Sequence, residues 1–544
     1  MQMKSEWLAL VGLVLMLGSR GLGVERHVPS EHATIQAAID AASDGDEVII
    51  APGTYTGDGN RDLDFGGRAI TVRSTDPNDP NAVAATVIQC NPDDPNDPDD
   101  PNYYGEHRGF HFHSGEDAGS VVAGLTIRSG YVAEGGGGIE CESSSPTVTG
   151  CVLAGNRADW FGGALHSVLG SPTIHGCTII GNSSSLGGGI AVPSGNPTIT
   201  NCTISDNSSG MGGGITCFYG TITNCIISQN TSSGECAGVL CAWTTIANCT
   251  ISSNSAADDA GGIACSVSTI SNCTISSNAA GGLGGGVLVG GSPKADPNSL
   301  QTVLTNCLLW GNTASDGHDL TLHYSDWLGE TLATVAYCNV QGGPNEVCVE
   351  PNCTLIWADG NIDADPCFVD PNGPDGDPNT WEDNDYHLSS NSPCIDAGDP
   401  NFVVDPNRPF DIDAEPRVRG GRVEMGSDEY WADHVVLTLE VKGQERGDVD
   451  LDPAPTATID PRHWYPIDTP VTLTAEPASG KFWGGWEGDV DPNDEFTNPL
   501  TVVMDSDKQI TTAFKCGLGT APMLPMMLAV LGVFALIRRG RQRC

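Results

Sequence analysis

A chain of 544 residues with 69 Asp and Glu against 24 Lys and Arg has a net charge of −45. That charge repels phosphate backbones and anionic surfaces and excludes nucleic acid as a partner. With 69 Gly, 35 Pro, 6% aromatic and 17% charged residues the composition is not that of an ordinary enzyme, and small residues at this frequency point to repeats.

Residues 1–23 place Lys4 ahead of an apolar run from Trp7 to Leu17, then Gly21-Leu22-Gly23 as a small-x-small cleavage signal, which is the pattern of a signal peptide. From Val28 to Ala42 the apolar positions recur at helical spacing, and Gly45-Asp46 leads into a β-type run, Glu47-Val48-Ile49-Ile50, closed by Ala51-Pro52-Gly53-Thr54-Tyr55. This Thr-Ile-Gln-Ala-Ala-Ile, Gly-Asp, Pro-Gly-Thr-Tyr string resembles the N-terminal cap and first rung of pectin-lyase-like β-helix proteins, which include pectin methylesterases and several lyases. The resemblance implies a cap and first rungs over 24–108. Within that span the Asp-rich run from Asn91 to Asp100 reads as a loop whose charge Ca²⁺ would ease, without the ligand spacing of an EF-hand. His107, His111 and His113 form a His-x-His pair with a third His nearby, a weak zinc pattern without a carboxylate at zinc spacing.

Residues 109–343 repeat. Cys151, Cys177, Cys202, Cys225, Cys249, Cys273 and Cys307 recur at spacings of 26, 25, 23, 24, 24 and 34, the last widened by an insertion around 290–301. Five residues after each comes an asparagine: Asn156, Asn182, Asn207, Asn230, Asn254, Asn278 and Asn312. Stacked asparagines can bond the amides of neighbouring rungs, as ladders do in other stacked β structures. Immediately before each Cys only Gly or Asn occurs, at Gly150, Gly176, Asn201, Asn224, Asn248, Asn272 and Asn306, so a left-handed bend is expected there. Upstream, strings such as Gly138-Ile139-Glu140-Cys141 and Gly214-Ile215-Thr216-Cys217 predict a strand that alternates sides. The column Cys141, Ser167, Val192, Cys217, Cys241, Cys265, Val289 would face inward, and Glu140, His166, Ala191, Thr216, Leu240, Ala264, Leu288 would form an outward, flat wall. The expected fold is all-β: a right-handed three-sided parallel β-helix with three strands per rung and roughly nine to twelve rungs.

Residues 344–434 carry Asp-Pro-Asn units and the strings Ser392-Pro393-Cys394-Ile395-Asp396-Ala397-Gly398, Asp411-Ile412-Asp413 and Met425-Gly426-Ser427-Asp428-Glu429. They resemble the closing segment of bacterial surface β-helices, which implies a cap over the open end of the stack. Residues 435–515, with Phe482-Trp483-Gly484-Gly485-Trp486 between Thr-rich strands, resemble the divergent internalin-type bacterial repeat, a small β module that serves as a spacer. Residues 516–544 run from Cys516 through an apolar stretch, 517–537, to Arg538, Arg539, Arg541 and Arg543. This resembles a C-terminal sorting tail and implies a membrane contact through a transmembrane segment.

The pectin-lyase-like resemblance raises an enzyme reading. Uronate elimination requires a strong base and cations that neutralise a carboxylate. Between Ala158 and Asn407 there is no Arg and one Lys, Lys294. The paired-carboxylate Asn-Thr-Asp and the Arg-Ile-Lys patterns are missing; Asp258-Asp259 and His175-Gly176 are isolated fragments, and the esterase strings stop after the cap. One constellation remains: Glu140 and His166 in one column on neighbouring rungs, with Glu134, Asp159 and Trp160 in the turns before, which could hold a sugar or a cation. Of the 20 Cys, those in inward columns act as small hydrophobes, and Cys348 with Cys353 and Cys367 with Cys394 are candidate disulfides. The favoured expectation is a non-catalytic, exported surface protein whose partner is a polysaccharide or a cell-surface or matrix component. The alternative is a carbohydrate-active enzyme, a polysaccharide lyase or hydrolase.

Overall fold

The computed structural model describes residues 23–91, 105–291, 301–324, 329–376, 384–405, 410–413, 415–418, 422–431, 434–443, 446–459, 461–479 and 481–515. The expected signal peptide, the sorting tail, nearly all of the Asp-rich run and the insertion carrying Lys294 lie outside them. Among the described residues no helix is long and apolar enough to cross a membrane. The chain divides into two compact units, Met1–Tyr430 and Trp431–Cys544.

The first unit is a right-handed parallel β-helix. Helix Ile35–Ala41 starts it: the Thr34 hydroxyl accepts from Ala37 N, and Ile35, Ala38 and Ile39 are buried. One turn runs through Ile139–Glu142 in a ten-stranded sheet, Thr147–Thr149 in a thirteen-stranded sheet, Val152–Ala154 in an eleven-stranded sheet and Arg157–Ala158 in a seven-stranded sheet. Leu165–Val168 then re-enters the first sheet in register beside Ile139–Glu142. Thirteen stacked strands make about twelve turns. The expectation of three strands per rung is corrected on seven rungs, which carry a fourth short strand. The residues after each ladder asparagine stay extended long enough to pair, as Arg157 does with Tyr131 and with Ser183.

Register puts like on like. Ile174, Ile199, Ile222, Ile246 and Ile270 stack in one sheet and Ile179, Ile204, Ile227, Ile251 and Ile275 in another, all fully buried. Burial of each such side chain stabilises the rung by about 2 kcal/mol. The seven anchor Cys line the same core as free thiols. Burial pushes the Cys217 and Cys265 thiols, in the second inward column, up to about 12, which keeps them neutral. The pairings Cys348–Cys353 and Cys367–Cys394 are not formed. Cys394 is buried, and its sulfur lies 3.2 Å from Asn339 Nδ2.

The asparagine column is a continuous hydrogen-bond ladder. Asn182 Oδ1 accepts from Asn156 N at 2.8 Å and from Asn156 Nδ2 at 3.1 Å, while Asn182 Nδ2 donates to Leu153 O and to Asn207 Oδ1, both at 2.9 Å. The same pattern passes through Asn207, Asn230, Asn254 and Asn278 to Asn312. The bend before each anchor is left-handed, with φ between 50° and 59° at Gly150, Gly176, Asn201, Asn224, Asn248, Asn272 and Asn306. A second left-handed column, including Gly155, Asp206, Gln229 and Ser253, precedes the ladder asparagines; its mixed residue types hid it in the sequence. At the end of the ladder Asn312 Nδ2 donates at 2.7 Å to Asp319, whose carboxyl is only 4% exposed and is pushed up to about 6, chiefly by desolvation.

The wall expected to be outward and flat is corrected. Glu140, His166, Ala191, Thr216 and Ala264 are buried, because the turn that follows the seven-stranded sheet folds back over them. That turn is left-handed at Gly136, Gly162, Gly187 and Gly212, and a Cβ on Gly212 would sit 2.2 Å from Thr216 Oγ1. Farther along, Cys236 and Ala260 take the turn position and pack with Ala264, Leu240 and Leu288.

The closing segment is corrected in part: Cys348–Val349 and Cys353–Trp357 are the last strands of the ten- and thirteen-stranded sheets, at the end of the stack, while Asp399, Phe410, Asp411 and Ser427 lie along its side across several rungs. Asn224 Nδ2 donates to Asp411 O, Asn248 Nδ2 to Phe410 O, and Asp399 N to Asn306 Oδ1, while the Ser427 hydroxyl meets Thr250 and Thr274. The bend asparagines offer amides at the surface of the stack, and this segment uses them.

Among its described residues the second unit has a five-stranded and a three-stranded sheet. In the larger, His434–Lys442 lies parallel to Lys508–Lys515 and antiparallel to Arg462–Pro466. Tyr465, Leu473, Trp486, Met504 and Phe514 form its core.

Replacement of Asn230 by Ala strands Asn207 N and Ile204 O in the core and is expected to cost about 3 kcal/mol, read as a lower denaturation midpoint. Asp319 binds its proton more tightly folded than unfolded, so its contribution to stability falls as pH rises from about 4 to about 6 and stays lost above that. Asp319→Asn should therefore be more stable than the parent at pH 7, by up to about 3 kcal/mol, with the difference vanishing near pH 4 in paired thermal melts.

Candidate functional site

The ten-stranded sheet carries one column of side chains that changes character along the stack. His111, Glu140 and His166 occupy register-matched positions on consecutive rungs, followed by Ala191, Thr216, Leu240, Ala264 and Leu288. The first part is ionic and the last part apolar.

In the ionic part, His166 Nδ1 lies 2.9 Å from Glu140 Oε1, and Arg108 Nη1 lies 3.6 Å from Glu140 Oε2. The Phe161 ring stacks on His166 at 5.2 Å. A Cβ on Gly135 would lie 2.4 Å from His166 Nδ1, and one on Gly136 2.6 Å from Glu140 Oε2, so glycine lets the turn close directly over the pair. Glu140 and His166 thus meet as the sequence suggests, but at 5% and 8% exposure. The other three expected members do not join them. Asp159 pairs with Arg157 at 3.2 Å and accepts from the Tyr131 hydroxyl at 3.0 Å; Glu134 is exposed, and Trp160 is 62% exposed. Of the three histidines, His111 and His113 meet edge to face with ring centroids 4.4 Å apart, but each pairs with its own carboxylate: His107 with Asp62 at 2.6 Å, His111 with Glu142 at 2.9 Å and His113 with Asp64 at 3.7 Å. Glu140→Ala would leave Arg108 and His166 buried without their carboxylate, and a loss of about 3 kcal/mol is expected on denaturation.

In the apolar part lies an open groove of about 610 Å³. Leu240, Ala264 and Leu288 contribute to its lining, with Met211, Tyr219 and Trp243. Tyr219 and Trp243 occupy the turn position that follows this strand on adjacent rungs, both left-handed, with φ of 64° and 50°. Their rings stack in parallel, centroids 4.9 Å apart and planes at 6°, yet they remain 49% and 37% exposed. Glu235, Asp259 and His323 also line the groove. Among the described residues, no lysine or arginine lines it. Sequence reasoning missed these residues because it scored the column as a flat wall. The available signal was the spacing of 24 residues from Tyr219 to Trp243, one full rung, in a chain poor in aromatics.

A third group lies on the closing segment. His387 Nε2 is 2.6 Å from Asp413 Oδ2, and its Nδ1 is 2.5 Å from Asp385 Oδ1. The Asp413 carboxylate holds His387 up to about 10, and burial raises Asp428 well above the usual carboxylate range.

Residues 107–254 and 171–326 match the family model described as right handed beta helix region. No curated protein matches the sequence. Among solved structures, the chain is similar to pectate lyase Pel9A, at 16% identity over 75% of this chain and 95% of that one, with a TM-score of 0.32. The catalytic domain of a GH87 alpha-1,3-glucanase in complex with tetrasaccharides matches at 12% identity over 63% and 69%, TM-score 0.32. A mannuronic acid specific polysaccharide family 6 lyase from human gut microbiota matches at 12% identity over 62% and 83%, TM-score 0.27. The matched family model and the stacked parallel sheets make the β-helix the class of fold. At such identities and TM-scores, what this chain binds is a matter for its own side chains.

Proposed function

We propose that this chain is an exported, non-catalytic surface protein that binds glycan in the groove of the ten-stranded sheet. The observation that carries the reading is the stacked, exposed Tyr219–Trp243 pair beside an apolar floor. Sugar rings present C–H faces that pack on aromatic surface, and the rim carboxylates Glu235 and Asp259 can accept from sugar hydroxyls. With Glu235 and Asp259 and, among the described residues, no lysine or arginine in the lining, the groove suits neutral polysaccharide better than polyuronate. In this reading the second unit is a spacer, and the apolar, Arg-terminated segment 516–544 holds the protein at the cell envelope.

A second reading, polysaccharide lyase or hydrolase, draws on the contiguous Arg108, Glu140 and His166. An acid and a base in contact are the parts such chemistry needs, although here the turn at Gly135 and Gly136 covers both.

The test is incubation of the full chain with neutral and acidic polysaccharides, with and without Ca²⁺, scoring retention and new chain ends separately. Retention on a neutral polymer without new ends is expected, weakened at least tenfold by Trp243→Ala and by Tyr219→Ala. New ends that vanish in Glu140→Ala or His166→Ala, with folding shown intact by circular dichroism, would establish the enzyme instead. Retention equal in the parent and both aromatic variants would remove the groove as the binding site.

A further inference from the structure

The closing segment brings together, on the eleven-stranded face, two carboxylates and one imidazole from separate places in the chain. His387 lies on strand Asp385–Leu388, Asp413 sits in the turn at Ile412 and Asp413, and Asp428 comes 15 residues later. One ligand atom from each of His387, Asp413 and Asp428 falls within 4.8 Å of the others. The three line a cavity of about 200 Å³ whose other side is Ile226, Thr250 and Ser252 of the β-helix.

Two further observations separate this group from an ordinary acidic patch. Asp428 is 6% exposed, lines the cavity, and accepts no hydrogen bond among the described residues. A buried carboxylate without a donor is a costly arrangement that a cation would relieve. The Tyr386 hydroxyl, lining the same cavity, also lacks a hydrogen-bond partner among the described residues. The nearby guanidinium groups in the described residues are engaged elsewhere. Arg417 donates to the carbonyls of Ser427 and Gly426 and faces Glu429, and Arg422 donates to those of Ala397 and Gly398.

We propose that His387, Asp413 and Asp428 bind one divalent cation of the zinc class, which ties three parts of the closing segment together against the side of the β-helix. The donor set selects the metal: one imidazole with two carboxylates suits zinc-like ions, whereas Ca²⁺ prefers six or more oxygens. The imidazole is already oriented for this role. Its Nδ1 faces Asp385, so Nε2 is the ligand atom and Asp385 is the positioning residue, the carboxylate–histidine arrangement common at metal centres. Asp411, fully buried beside this group, is occupied: its oxygens accept from the backbone N–H groups of Asp413, Glu415 and Glu429. It shapes the turn that presents Asp413 and leaves the fourth metal position to water. Because the ligands are spread over more than 40 residues, a bound ion would stabilise the folded chain and not the unfolded one.

The full chain, stripped with chelator under reducing conditions, would be titrated with Zn²⁺, Co²⁺ and Ca²⁺, with bound metal, thermal midpoint and the Co²⁺ spectrum recorded. One Zn²⁺ per chain, a raised midpoint and a Co²⁺ spectrum without thiolate charge transfer are expected. His387→Gln and Asp428→Asn should each weaken binding at least tenfold. Asp385→Asn, which keeps all three ligands, should weaken it about 10- to 100-fold and guards against a misfolded ligand variant. Asp258→Asn, on the rungs, should leave it unchanged. No zinc bound, binding unchanged in all three site variants, a thiolate signature that persists in them, or Ca²⁺ preferred to Zn²⁺ would each overturn the proposal.

Discussion

The polar interior column is the constraint on which the rest of the first unit depends. Each rung must turn a corner after the strand that follows its anchor cysteine, and a corner leaves backbone N–H and C=O groups facing the core. The asparagine side chain supplies one acceptor and two donors there, and each rung satisfies the groups its neighbour leaves open. An isolated rung could not do so, and the ladder therefore requires stacking in register. That register aligns isoleucine on isoleucine and cysteine on cysteine, and the core follows.

The same register creates the surface features. Once every rung returns to the same place, a residue type that recurs at one rung spacing becomes a stripe. Asparagines at the bends became a row of amides on which the closing segment docks, and Asn224, Asn248 and Asn306 bond its backbone. Tyr219 and Trp243, one rung apart, became a stacked pair at the edge of an apolar groove. Where titratable residues fell in the equivalent strand position, Glu140 and His166 pair beneath a glycine turn. The ionic and apolar halves of one face thus differ chiefly in what the sequence places on a repeated backbone.

Legibility followed sequence distance. The period, the ladder, the bend column and the inward column were all readable, because each depends on residue type at a fixed offset within one rung. The fourth short sheet was not, since Arg157-Ala158 and Thr231-Ser232 share no pattern beyond an extended backbone. The covering of Glu140 and His166 was not either: alternation along a strand tells which side a residue takes, but not whether a turn of its own rung folds back over it. Of the five residues expected to form a site, two came together and three stayed apart for that reason.

By itself the sequence determined the class of fold and the absence of basic groups from most of the rungs, because a repeated local pattern admits only one way to satisfy its backbone and bury its isoleucines. Only the tertiary structure decided where surface chemistry converges. His387, Asp413 and Asp428 belong to no repeat and share no spacing rule, and they meet because the closing segment lies along the stack. The groove likewise exists only when separate rungs are stacked, since its floor and its aromatic edge come from different turns of the helix. Contacts between residues far apart in the chain depend on how the elements pack, which no local pattern records.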